Sequence, residues 1–233
     1  MSSVRSAAKF DFYTATHKGQ RRRLFAFAQR VGTSDFSDPD EVDAVGEELQ
    51  RISRMLRTHA RHESEFIHPF LAERFPAAAD FLESEHDDLE NNLVELQAFY
   101  EDIQSNPCAQ WQCLTFGGEF YRALQRFIAR YLDHMDEEEA TMVRLWHKCE
   151  PEELRTVVTR MLASMSAEQE REELWDMLPA LNPFERVKLF RTLRYGLDDG
   201  RYDDALALAE RALEPRDWDH LQTLLADGAT RTD

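Results

Sequence analysis

Over the first two-thirds of the chain, apolar residues recur in steps of three and four along four long stretches. That is the period that lines one face of an α-helix. The first stretch reads Phe10, Tyr13, His17, then Leu24, Phe27 and Val31, and Gly32 stands after it as a stop signal. The second reads Val42, Val45, Leu49, Ile52, Leu56, His59, Glu63, Phe66, Phe70. Asp38 is placed to cap it with Pro39 at its first position, and it is expected to run to about Glu73, with Pro69 kinking or ending its last turn. The third reads Leu82, His86, Leu89, Leu93, Leu96, Tyr100, and it ends before Asn106-Pro107. The fourth reads Phe120, Leu124, Phe127, Tyr131, His134, Glu138, Met142, Leu145, with Gly117-Gly118 as its weak place. Beyond Glu150, Pro151, Pro179, Pro183 and Pro215 cut the chain into short amphipathic helices, with capping signals at Ser166/Gln169 and at Asn182. The pattern predicts an all-α protein: an up-down antiparallel four-helix bundle over residues 1–149, followed by a small C-terminal helical extension over residues 150–233.

Six residues in these stripes do not belong in an apolar seam: His17, His59, Glu63, His86, His134 and Glu138. Each helix contributes one histidine, and the second and fourth add a glutamate one turn later. A buried charge without a partner costs several kcal/mol, so a fold that carries six such groups inside must compensate them. Metal coordination does so directly, because imidazole and carboxylate together suit first-row ions such as iron, manganese or zinc. Residues four apart share a helical face, about 6 Å apart along the axis. A pair of metals bridged by Glu63 and Glu138 would use all six groups and leave a position for an exogenous ligand. Taken singly, a His-x-x-x-Glu is more often a surface pair and a seam histidine more often a hydrogen-bonded core residue; it is the recurrence on four successive helices that points to metal.

From Lys9 to Trp146 the chain resembles the hemerythrin-like (HHE cation-binding) family, in its bacterial type. The resemblance rests on His59-x-x-x-Glu63 followed by Pro69, on Glu85-His86, on His134-x-x-x-Glu138-Glu139, and on the lone first-helix His17. It implies a hemerythrin-like bundle around a non-heme di-iron centre with an oxo or hydroxo bridge, able to bind O2, NO or peroxide. Oxygen-carrying members place a second histidine one turn after the first in their third helix; here that position is Glu90, which falls off the seam. The four-His, two-Glu set is closer to iron–sulfur-cluster repair members, but only 16 residues precede His17, where those carry a further domain. The tail beyond Glu150 is assigned to no family. A ferritin-like reading would rest on Glu65-x-x-His68 and Glu83-x-x-His86, which straddle one turn on consecutive helices instead of alternate ones. His62 and His68 lie off the stripe and are expected to be solvated. A single structural zinc would favour a cysteine-rich set, and no cysteine falls at the His/Glu level.

Composition narrows the setting. A net charge of −17 argues against nucleic acid or an anionic membrane as partner. Arg21-Arg22-Arg23 reads as a solvated helix face. No apolar run approaches a membrane span, the first residues lack a secretory core, and three cysteines fit a reducing cytoplasm. Cys108 and Cys113 read as incidental thiols rather than a redox pair. Trp175, Phe184, Phe190 and Trp218 could form a docking surface for a protein partner or a second copy through the C-terminal helices, or simply pack as core. Three functions stay open: a gas- or redox-responsive binding protein, a di-iron enzyme that reduces peroxide or NO or serves cluster repair, and an iron-binding protein whose fold reports iron supply. Tyr13, one turn before His17, could donate a hydrogen bond to a bound oxygen species or be core.

Overall fold

The computed structural model describes residues 11–105 and 110–229, and every regular element among them is helical. The order is α1 (Thr14–Thr33), α2 (Pro39–His62), a π-turn (Glu63–Ile67), α3 (His68–Ala72), α4 (Pro76–Ser105), α5 (Gln110–Leu145), α6 (Pro151–Ser164), α7 (Ala167–Met177), a 3-10 turn (Leu178–Ala180), α8 (Pro183–Gly196), α9 (Asp199–Ala212) and α10 (Pro215–Ala229). The chain divides into two compact units, Arg21–Glu138 and Met1–Gln20 with Glu139–Asp233.

Arg21–Glu138 is the helical bundle that the seams predict. One continuous core joins Leu24, Phe27 and Val31 of α1, Val45, Leu49, Ile52 and Leu56 of α2, Leu89, Leu93 and Leu96 of α4, and Phe120, Leu124 and Phe127 of α5. Each such side chain, fully withdrawn from water, contributes about 1.5–3 kcal/mol. The connections Ser34–Asp38 and Glu73–Phe75 are short, as neighbouring antiparallel helices require. Asp38 accepts from the backbone N–H of Asp40, with Pro39 in the first turn, so α2 starts where its capping signals place it.

Two glycines neither stop nor weaken their helices, contrary to expectation. Gly32 lies inside α1 and does not stop it; the helix closes at Thr33, whose hydroxyl donates to the Gln29 and Arg30 carbonyls. Gly117 is no weak point, since α5 passes through it unbroken. A Cβ there would stand 2.5 Å from the Phe36 ring, so the missing side chain is what lets Phe36 seat. Gly46 plays the same part more severely: a Cβ would fall 2.0 Å from the Tyr100 hydroxyl, which donates to the Val42 carbonyl at 3.1 Å.

The largest departure is in the second helix, which does not run through to Glu73. α2 ends at His62, and a π-turn follows in which the His68 N–H reaches the Glu63 carbonyl. Pro69 sits in the first turn of α3. It has no N–H to donate and its ring would collide with the carbonyl four residues back, and the chain passes it through a wider turn. One extra residue enters the turn, and the seam slips by one: Ile67 and Leu71 are buried where Phe66 and Phe70 were expected.

In the other unit, α6 to α10 fall close to the predicted tail helices. Ser166 with Gln169 and Asn182 with Glu185 both close capping boxes. Buried Arg186 donates to the Leu178 carbonyl at 2.9 Å and pairs with Asp217 at 2.9 Å. Arg201 pairs with buried Glu170 and reaches the Met165 carbonyl. The aromatic residues of this region divide: Phe190 is fully buried, whereas Phe184 and Trp175 are exposed. Lys18 of α1 pairs with Glu185 at 2.6 Å, and Thr16 donates to the Met177 sulfur. Cys113 is disulfide-bonded, which corrects its reading as an incidental thiol; Cys108 lies outside the described residues. Phe10 also lies outside them.

Candidate metal centre

Within Arg21–Glu138, Glu63 from the π-turn, His86 from α4, and His134 and Glu138 from α5 each offer a ligand atom, and these atoms lie within 4.8 Å of one another. Glu63 is 1% exposed and Glu138 fully buried. His86 Nε2 stands 3.4 Å from Glu63 and 3.7 Å from Glu138, His134 Nε2 is 3.3 Å from Glu138, and His59 Nε2 is 3.0 Å from Glu63. Five of the six predicted residues therefore converge at one level of this unit. His17 belongs to the other compact unit, on the stretch of α1 before Arg21. There its ring is fully buried, stacks on Tyr13 at 5.1 Å, and holds Glu139 through Nδ1 at 2.9 Å.

The ring nitrogens are sorted by their outer partners. His134 Nδ1 lies 3.1 Å from Glu85, a half-buried carboxylate that orients the ring and leaves Nε2 toward Glu138. His17 repeats the device with Glu139, and His86 turns Nδ1 to the Ser64 hydroxyl at 3.4 Å. Carboxylates holding the far nitrogen of a histidine are the usual support of a metal ligand, because they fix the tautomer and raise ligand basicity.

The electrostatics fit a cation. Burial, the strongest influence on His86, would lower its pKa, but hydrogen bonds and charges from Glu138 and Glu63 outweigh it and raise it to about 10. His134 moves upward in the same way, with Glu138 overcoming burial. Tyr131, one turn before His134, is pushed well above its ordinary value by burial first and then by Glu63 and Glu138. Two carboxylates at this depth thus draw protons onto their imidazole neighbours, which is how a site built for positive charge behaves. A set of imidazole and carboxylate donors suits first-row metals, so the residues fit the metal pair expected of them.

Other residues move relative to expectation. His62 and His68 are buried, not solvated. His62 lies three residues from His59 and shares its face; burial, ahead of Arg61 and His59, lowers its pKa. His68 is turned inward by the π-turn. Residues five apart in an α-helix point about 140° apart, but across the π-turn Glu63 and His68 come to one side. His68 Nδ1 meets Glu83 at 2.5 Å and its ring stacks on His86 at 4.9 Å. No α-helical phase reveals this; the only signal in the sequence is Pro69 itself. Glu83 titrates below the usual range: burial, the largest influence, raises it, but hydrogen bonds from His68 and Ser64 prevail. Glu90 is outside the site, exposed and held bidentately by Arg57 at 2.7–3.0 Å.

The chain belongs to the hemerythrin family, described as the hemerythrin HHE cation binding domain, which matches residues 9–146. Among curated proteins it is similar to F-box/LRR-repeat protein 5 of Mus musculus, 23% identical over 190 residues that cover 81% of this chain and 26% of that protein. The same protein of Bos taurus gives 23% with the same coverage, and that of Xenopus laevis 21%, covering 81% of this chain and 27% of that protein. The chain thus spans about a quarter of the length of these relatives. They are vertebrate proteins, so the comparison carries the family and not the bacterial subtype. A match covering 81% of the chain cannot be contained in residues 9–146, so the likeness runs on into the C-terminal helices, which the sequence reading left without relatives. No solved structure matches. Among the described residues no helix is long and apolar enough to cross a membrane.

Proposed function

We propose that the chain is a non-heme di-iron-binding protein that takes O2, NO or peroxide at its metal pair, in a sensing or redox-stress role. The observation that carries this is the convergence of Glu63, His86, His134 and Glu138, two of them carboxylates with almost no contact with water. Glu63, Glu138, His59, His86, His134 and His17 would hold the pair; His17 enters on its seam position and the family motif. Manganese or zinc would satisfy the same donors. When bound, a pair of irons supplies redox-active electrons and an open position for a small oxygen or nitrogen species. The chain's own residues prepare for this. Glu85 and Glu139 fix the rings of His134 and His17, and Tyr131 stays protonated beside the carboxylates. The apolar seam around them keeps bulk water out.

A second reading, an iron-responsive binding module, is favoured by the burial of the ligand set. Anything that binds only the folded state stabilises it, so a buried ligand set couples metal supply to folding. The relatives' name, F-box/LRR-repeat protein 5, speaks of further parts in those proteins, and this chain corresponds to about a quarter of each. On this reading the C-terminal helices, with exposed Phe184 and Trp175, face a protein partner.

Metal analysis and optical spectra of protein purified with and without air test the first reading. Iron at two per chain, with near-ultraviolet bands that change on adding O2, NO or peroxide, supports it. Iron whose spectrum ignores all three, while chelation sharply lowers the melting temperature, moves the function to the second reading. A folded chain that takes up no metal overturns both.

A further inference from the structure

Against the face of His86, where the His68 ring stacks at 4.9 Å, lies another group of ligand-type side chains. His68, Glu83 and His86 each offer an atom within 4.8 Å of the other two. The His68 side chain is 6% exposed, and its Nε2 has no hydrogen-bond partner among the described residues. Glu83, which meets His68 Nδ1, is 51% exposed. Ser64 donates to both Glu83 oxygens at 3.0 Å and lies 3.4 Å from His86 Nδ1. His86 Nε2, on the opposite edge of the ring, faces Glu63 and Glu138. One imidazole therefore belongs both to a group with a water-facing carboxylate and to the group that holds the buried pair.

Packing alone gives little reason for this arrangement. A histidine stacked on another histidine in the interior carries two polar rings where an aliphatic residue would fill the space without desolvating anything. The chain reaches this geometry only by giving up regular α-helix over Glu63–Ile67, and π-turns of this kind gather at functional sites. Two imidazoles and one carboxylate are a first-row metal set, and three protein ligands leave further positions open. With metal–ligand distances near 2.1 Å, ligand atoms sit no more than about 4.2 Å apart, so closing on an ion requires movement of about half an ångström.

We infer that His68, Glu83 and His86 form a separate capture site for a divalent first-row cation, from which the ion passes across His86 to the paired centre. A cation arriving from water meets Glu83 first, takes the place of the proton between Glu83 and His68, which leaves to water, and then lies one imidazole ring from Glu63 and Glu138. The inference rests on the proposed paired centre in so far as His86 serves both sites.

The test is anaerobic rapid-mixing uptake of Co2+ followed by its visible spectrum, on the full chain and on His68→Gln and Glu83→Gln variants, with metal content measured at equilibrium. Glu83 is exposed, so its variant leaves the core intact. At limiting metal, uptake follows occupancy of the capture site, and loss of one of its ligands lowers occupancy at least as far as loss of an outer partner would, about tenfold or more. The expected result is uptake slowed by that factor in both variants, with the final metal content unchanged. Uptake at the wild-type rate in both variants overturns the inference and leaves His68–Glu83 as an ion pair. Where the unaltered chain ends with two Co2+, a variant that ends with one also overturns it, by making His68 or Glu83 a ligand of the centre. Failure of the paired centre reads differently: a wild-type chain binding a single Co2+ that His68→Gln abolishes retains the capture site alone, and a chain binding none removes both.

Discussion

The two ends of the bundle in Arg21–Glu138 are built from the same helices and the same seams, yet they are held together by different means. From Val42 to Leu56 the layer is aliphatic and aromatic, closed by the contact of Gly46 with Tyr100 and by Ser53 returning its hydroxyl to the Leu49 carbonyl at 2.7 Å. One turn further on, His59, Glu63, His86, His134 and Glu138 take over the inward positions. The first layer needs only shape. The second needs partners for every ring nitrogen and carboxylate, and it recruits them from outside the seam: Glu85 for His134, Ser64 for His86. A bundle whose apolar layers are sufficient for folding can give one layer to metal chemistry, and the two layers should then fail independently.

Removing Glu63 and Glu138 together, as Glu63→Ala/Glu138→Ala, should have the largest effect. The expected product is a helical protein that binds no metal and whose melting temperature no longer responds to iron or chelator; elemental analysis and thermal unfolding read both. A double variant that fails to fold even in its metal-free form would show that the polar layer carries the fold, contrary to the division drawn above. The converse is Gly46→Val. Its Cβ would collide with Tyr100, and overpacking of this kind costs about 1–3 kcal/mol. Denaturant unfolding should show that loss while the folded fraction still loads metal normally. Smaller still is Glu85→Gln, which removes the charge that orients His134. Metal affinity should fall by about 10–100-fold with little change in metal-free stability; unchanged affinity would mean the ring is held by packing alone.

The helical period made the bundle and the level of the buried His and Glu residues legible because both depend on which face of a regular helix points inward. The α5 seam from Phe120 to Glu138 is buried at every predicted position, and the α4 seam from Leu82 to Tyr100 follows its predicted phase. What escaped was whatever breaks the period. The π-turn ahead of Pro69 moved Ile67, His68 and Leu71 inward and Phe66 and Phe70 off the seam, a one-residue slip that no count in threes and fours detects. Glu85 and Glu139 stand in the sequence motifs, but their orienting role escaped for a related reason. Glu85 and Glu139 each precede or follow a seam residue by one position, and whether such a neighbour reaches across to another helix depends on side-chain direction, not on spacing.

Glu90 gives the smallest predicted effect and the sharpest boundary for the site. It stands one turn after His86, where the oxygen-carrying pattern would place a histidine, so its position alone invites a role as ligand. The structure assigns it elsewhere, with 46% of its side chain exposed and both oxygens on Arg57. An exposed pair of this kind is worth about 0–1 kcal/mol even with bidentate geometry. Glu90→Ala should therefore leave metal content and optical spectrum as in the parent protein and shift unfolding by no more than that amount. Loss of a metal in Glu90→Ala would require α4 to turn by a large fraction of a helical face on loading, and the polar layer would then be a moving part of the bundle instead of a preset one.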